Sequence, residues 1–253
     1  MNVIENFVCP IYTRDQSGNV QVTGSGTLVT LNSVYFLITA AHVVRESENS
    51  EQCILAPSTL LPLKQCSTTA GDRTDKLDFA IFELGDEQIL ATKAWRGFYD
   101  LGRDKGPLGI PRHEEFALTG FPATKNKIAA TANRRHYIPP PSPFTLTVQH
   151  VGADDPIFDG ITYNHDHHHV FYFHRRKFLG ESGRRVRAPE LNGLSGGGVW
   201  HLEDGKSAPH ASTRFTLRGI IIEQNPNPPR VIATRLEVIL HDIRYYFPHA
   251  MLA

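Results

Sequence analysis

The sequence predicts an all-β protein, two barrels or sandwiches followed by a single helix. Three observations predict it. Short alternating or apolar segments recur along most of the chain, turn-rich stretches separate them, and helical spacing appears only near the C-terminus.

The segments follow in order. Residues 20–30 alternate around a Gly24-Ser25-Gly26 kink. Residues 34–39 (VYFLIT) are β-branched and aromatic, the composition of a buried strand. Residues 78–84 (DFAIFEL) alternate again, with Phe79, Ile81 and Glu83 on one face. Further strands are expected at 116–120, 145–151, 170–173, 199–202, 217–222 and 231–234. The Gly- and Pro-rich stretch 99–113 reads as a linker between halves, and 133–142 as a second irregular stretch. Leu236, Ile239, Leu240, Ile243 and Phe247 form one apolar helical stripe. The domain reading is therefore 1–105, 106–235 and a C-terminal helix over 236–253 that packs on the body.

Composition narrows the function classes. The 253 residues are 40% hydrophobic and 21% charged, as in an ordinary globular chain. Lys plus Arg equals Asp plus Glu, 26 each, so no global field recruits nucleic acid or an anionic membrane. No apolar run is long enough to span a bilayer. The first residues lack a basic stretch followed by an apolar one, so no secretory signal is read and a cytoplasmic location is expected. Cys9, Cys53 and Cys66 are too few and too odd in number for a disulfide framework, which fits a reducing compartment. A Cys53–Cys66 bridge is the one pairing left open. No CxxC pair suggests a cysteine-based zinc site.

Three short motifs carry chemistry. In Leu37-Ile38-Thr39-Ala40-Ala41-His42, a buried strand delivers a histidine through two small alanines. In Asp78-Phe79-Ala80-Ile81, a carboxylate opens an apolar strand, where it needs a partner because an unpaired desolvated charge is costly. In Gly193-Leu194-Ser195-Gly196-Gly197-Gly198, a serine stands among four glycines ahead of the apolar Val199-Trp200. Glycine permits positive φ and close approach of another backbone, both of which a nucleophilic serine requires. Singly, each motif also has a plainer reading: a helix-capping histidine, a turn-capping aspartate and a flexible loop.

Taken together, GSGTLVT, TAAH, DFAI and GLSGGG resemble the trypsin-like serine peptidases over nearly the whole chain, closest in character to stand-alone bacterial members. The resemblance implies two six-stranded antiparallel β-barrels, chymotrypsin-like, and a serine endopeptidase with no cofactor and no metal. It implies Ser195 as nucleophile, His42 as general base and acid, Asp78 orienting the histidine, and the amides of Gly193 and Ser195 as oxyanion hole. Partners are then a protein or peptide substrate and, in a conditional effector, a protein activator acting in trans.

The chain departs from the family at two places. Digestive members carry aspartate before the nucleophile, to pair with a new N-terminal amine; here that residue is Leu194, so maturation by that ion pair is not expected. The base of the primary pocket in the family lies six residues before the serine; here it is Pro189, not an acid, so the trypsin preference does not carry over. Glu190, Ile222 and Glu223 match positions near the pocket, and an inward glutamate would favour a basic side chain at the cleavage site.

Two other stretches invite a reading. In an extended strand His165, His167 and His169 would share one face and could hold a transition metal, against the plainer reading of a polar hairpin. The run from His174 to Arg187 holds six basic residues in fourteen, a solvated loop or a patch for an acidic partner or a nucleic-acid backbone. Two rival functions stand beside the protease. G-x-S-x-G also marks α/β-hydrolases, but their acid and histidine follow the serine, and only residues 196–253 do so here. The same fold also serves as a non-catalytic binding module.

Overall fold

The computed structural model describes residues 2–45, 50–55, 60–64, 66–69, 76–103, 115–128, 138, 140–152, 163–173, 178–179, 185–186, 190–203, 214–226 and 229–252. The strands are β1 (Val8–Arg14), β2 (Val20–Leu31), β3 (Val34–Ala40), β4 (Glu51–Leu55), β5 (Leu60–Pro62), β6 (Cys66–Thr68), β7 (Phe79–Glu83), β8 (Tyr99–Asp100), β9 (Glu115–Gly120), β10 (Phe144–His150), β11 (His168–Tyr172), β12 (Phe178–Leu179), β13 (Arg185–Val186), β14 (Gly198–Leu202), β15 (Phe215–Pro226) and β16 (Pro229–Arg235). The helices are α1 (Ala41–Arg45), α2 (Asp86–Lys93) and α3 (Leu236–Tyr246), with 3-10 turns at Val3–Phe7, Leu101–Arg103 and Pro248–Met251.

Strands β1–β8 form one sheet in the order β5-β4-β1-β2-β3-β7-β6, with β8 added in parallel to β2. Among the described residues this sheet curls without closing. The second half is a closed six-stranded antiparallel barrel, β10-β11-β16-β15-β14-β9. The expected strands all occur, several of them longer than the sequence suggests; β15 runs through Pro226. In β2 the pairing to β1 slips at Ile11/Tyr12, so Thr23 bulges just before the glycine kink.

Alternation explains the packing of β7. Phe79 and Ile81 enter a core shared by both halves, while Phe82 enters a second core on the opposite face. That shared core joins Val29, Phe36 and Ile38 of the first sheet to Trp200, Leu217 and Ile220 of the barrel. The α3 stripe closes it: Leu236, Ile239 and Ile243 are buried, and Leu240 and Phe247 pack alongside. The Phe247 ring meets Phe36 edge-on at 5.2 Å. Each such buried aliphatic or aromatic side chain stabilises the fold by about 1.5–3 kcal/mol.

Two expectations are corrected. The start of the 99–113 stretch is structured, since Tyr99 pairs with Val29 and its ring packs edge-on against Trp200 at 5.2 Å; residues 104–113 lie outside the described residues. Helix α2 was invisible to periodicity because its apolar residues draw no stripe. Local chemistry starts it instead: the Gln88 side chain accepts the Gly85 amide at 2.8 Å, and Asp86 and Glu87 stand in the first turn. The cysteines are all free thiols, with no Cys53–Cys66 bridge. Burial pushes Cys9 up to about 12 and Cys53 to about 11, so neither is a ready nucleophile. Among the described residues no helix is long and apolar enough to cross a membrane.

Candidate active site

Strand β3 ends at Ala40, and the chain turns at once into α1. Ala40 and Ala41 are fully buried, and a larger side chain at either would collide with the core beneath. The turn is tied to the residue before β7: the Ala41 amide donates to the Asp78 carbonyl at 2.9 Å. Asp78 itself has φ +43°, a left-handed conformation costly for a side-chain-bearing residue. That strain turns its carboxylate back toward α1. Asp78 Oδ1 accepts the His42 backbone amide at 2.9 Å, and Oδ2 lies 2.6 Å from His42 Nδ1. A carboxylate only accepts, so Nδ1 carries the proton, and in the neutral ring Nε2 is then the nitrogen with the lone pair. Arg45 donates to Asp78 Oδ1 at 3.1 Å.

The serine loop is held by its backbone. Gly193 and Gly196 have φ +90° and +88°, and a Cβ at Gly196 would sit 1.9 Å from the Ser25 carbonyl oxygen. Only glycine fits that approach. Ala123 donates to the Asn192 carbonyl at 2.7 Å, and Gly197 donates to the Leu194 carbonyl at 2.8 Å. The Ser25 amide donates to the Ser195 carbonyl at 2.8 Å. Leu194 is 1% exposed and lies in the barrel core with Leu118, Leu191 and Val199.

His42, Asp78 and Ser195 line one open cleft of about 260 Å³, together with Leu191, Asn192, Ile222 and Glu223. The first two stand at the ends of strands of the first sheet, His42 in α1 after β3 and Asp78 just before β7; the rest come from the barrel and the loop that enters it. Glu223 is oriented by a hydrogen bond from the Tyr163 hydroxyl. Lys76 stands over the same ring at 5.7 Å.

At the sequence level the chain matches no protein-family model and no curated protein. Solved structures do match it in shape. The structure of GrC is 14% identical with a TM-score of 0.57 and covers 98% of this chain and 97% of its own. The apo MamO protease domain from Magnetospirillum magneticum is 12% identical, TM-score 0.53, covering 95% of this chain and 97% of its own. The scabies mite inactivated protease paralogue S-I1 is 13% identical, TM-score 0.54, with 98% and 97% covered. The fold is the chymotrypsin fold. One of these chymotrypsin-fold neighbours is an inactivated paralogue, so the fold leaves chemistry to be argued from the site.

In this chymotrypsin fold the candidate residues separate. His42, Asp78, Ser195, Ile222 and Glu223 meet at the cleft, with Gly193 in the loop beside Ser195. Glu190 is exposed and is not among the cleft-lining residues. Pro189 lies outside the described residues, as do most of the basic residues from His174 to Arg187. The shared-face alternative for the histidines fails on conformation: residues 165–167 form a turn that leads into β11, so His165, His167 and His169 do not share a strand face. Instead His168 and His169 are buried. His168 Nε2 lies 2.6 Å from the Lys76 carbonyl, and His169 Nδ1 lies 3.3 Å from His150 Nε2. Burial, then the Arg235 charge, pushes His150 down to about 4 and His169 well below the usual histidine value.

Sequence reasoning missed Ser25, Thr27, Thr39 and Arg45. Thr27 Oγ1 donates to the Gly196 carbonyl at 3.0 Å, and Thr39 Oγ1 to the Ser25 carbonyl at 2.7 Å. All three hydroxyls brace the serine loop or the strand beneath it. The one hint in the sequence was their place within the matching motifs.

Proposed function

We propose that the chain is a serine endopeptidase that hydrolyses peptide bonds through an acyl-enzyme. The observation that carries the reading is the His42–Asp78 pair, 2.6 Å apart, opening onto the same cleft as Ser195. In this reading residues 1–105 supply His42 and Asp78, and residues 106–235 supply Ser195.

Ser195 Oγ attacks the scissile carbonyl as His42 Nε2 removes its proton. The imidazolium then gives that proton to the departing amine, and water repeats the sequence to release the acid. Asp78 keeps Nδ1 protonated and stabilises the imidazolium; this is the arrangement the general Ser-His-Asp template describes.

The loop geometry supports an oxyanion hole at Gly193 and Ser195. The Asn192 and Leu194 carbonyls are tied to Ala123 and Gly197. A trans peptide points its N–H opposite to its C=O, so the Gly193 and Ser195 amides face away from those ties. Two amides so placed would stabilise the developing oxyanion by about 3–4 kcal/mol per donor. Ile222 and Glu223 form the substrate-facing wall, and Glu223 favours a cationic side chain beside the scissile bond.

A fluorophosphonate probe tests the reading, applied to the wild type, Ser195→Ala and His42→Ala. Labelling that requires both residues is the expected result. A folded wild type that stays unlabelled, alone and with candidate protein activators, would instead leave a binding module, the reading favoured by the likeness to an inactivated paralogue.

A further inference from the structure

Helix α1 is only five residues long, but it places His42 and Arg45 three residues apart, on one helical face. Both reach the same carboxylate. Asp78 Oδ1 accepts the His42 amide at 2.9 Å and the Arg45 guanidinium at 3.1 Å, while Oδ2 takes His42 Nδ1 at 2.6 Å. The Asp78 side chain is 14% exposed and that of Arg45 is 30% exposed. An ion pair at the surface contributes little to stability. This pair differs in its location, because its acid is the group that faces the imidazole.

We infer that Arg45 is a positioning residue of this site: it clamps the Asp78 carboxylate and, by offsetting its charge, sets how readily His42 takes a proton. The inference rests on the protease reading for its consequence, though not for its geometry. A lone carboxylate beside Nδ1 stabilises the imidazolium and raises the basicity of the ring. A cation one carboxylate away opposes that stabilisation. Arg45 therefore keeps His42 neutral, and able to act as a base, to lower pH. Its guanidinium also restricts rotation of the carboxylate, so the oxygen facing the ring stays Oδ2. Among the described residues, the other charged group on the cleft wall is Glu223, held by Tyr163 with Lys76 behind it. Neither changes in the variants below.

The test follows the rate of carbethoxylation of His42 with diethylpyrocarbonate against pH, resolved by peptide mass spectrometry. Only the neutral ring reacts, and its side chain is 28% exposed, so the reagent can reach it. Arg45→Gln should move the midpoint up by about 0.5–1 pH unit. Arg45→Ala serves as a second neutral variant, and near-ultraviolet circular dichroism selects the variants that fold. Arg45→Lys keeps the charge and should hold the midpoint at the parent value. A neutral variant with an unmoved midpoint overturns the inference, as does a lysine variant that shifts as far as glutamine. The measurement needs no turnover, so a parent that fails to label with fluorophosphonate would sink the protease reading and leave this one standing.

Discussion

Ser25 joins the first sheet to the serine loop through Gly193: its buried hydroxyl donates to the Gly193 carbonyl at 2.7 Å and accepts the Phe121 amide at 2.8 Å. One side chain of β2 thus satisfies a carbonyl two residues before the nucleophile and an amide just past the end of β9. Its backbone amide holds the Ser195 carbonyl as well.

Ser25→Ala should therefore destabilise the fold by about 2–4 kcal/mol, since it leaves two buried backbone groups without a partner. On the protease reading it should lower kcat by about tenfold or more with little change in KM, because the loop serves the transition state more than the bound substrate. Urea unfolding and steady-state kinetics check the two parts. A KM effect with unchanged kcat would place Ser25 on the substrate-binding side instead.

Leu194 fills an apolar core position where the resembling digestive enzymes carry a carboxylate. Leu194→Asp should cost about 3–5 kcal/mol, because the new charge enters a cluster that, among the described residues, is hydrocarbon only. The urea midpoint measures this. A midpoint equal to that of the wild type would mean that a partner reaches the site.

Glu223 supplies a carboxylate on the cleft wall, one that Tyr163 orients. Glu223→Gln should lower kcat/KM for peptides with Lys or Arg beside the scissile bond by about tenfold, and leave neutral peptides within about twofold. Profiling with a peptide library reads both. Equal losses for basic and neutral peptides would exclude an electrostatic role.

His150, partly buried, and His169, fully buried, lie on adjacent strands of the barrel near Arg235. In the unfolded chain a histidine takes a proton near 6.5, whereas His150 folded does so only near 4. Between those values the unfolded state binds more protons. Stability should then be intact above about pH 6.5 and fall steadily as pH drops toward 4. Melting temperatures across that range should decline, and His150→Gln should decline less steeply. A flat profile in the wild type would show that the pair is solvated.

The site was legible in part. The two alanines before His42, the aspartate opening a strand and the serine among glycines are local signals, because each depends on its immediate neighbours. Arg45 and Ser25 gave no comparable signal. An arginine at a helix end and a serine in a kink are ordinary until the partner, 33 residues away or 168 residues away, is known. The histidine run shows the opposite case: only an extended strand would align His165, His167 and His169, and the chain turns at 165–167.

By itself the sequence determined the strand-rich class, the C-terminal helix and the three residue types that chemistry would need, because alternation, the helical stripe and glycine clustering are short-range patterns. Tertiary structure alone decided which of them meet. It bent Asp78 through a positive φ toward α1, seated the serine loop on β2, and turned Glu223 toward the cleft while leaving Glu190 in solvent. Those outcomes depend on contacts between residues far apart in the chain, formed only when the two halves close on their shared core.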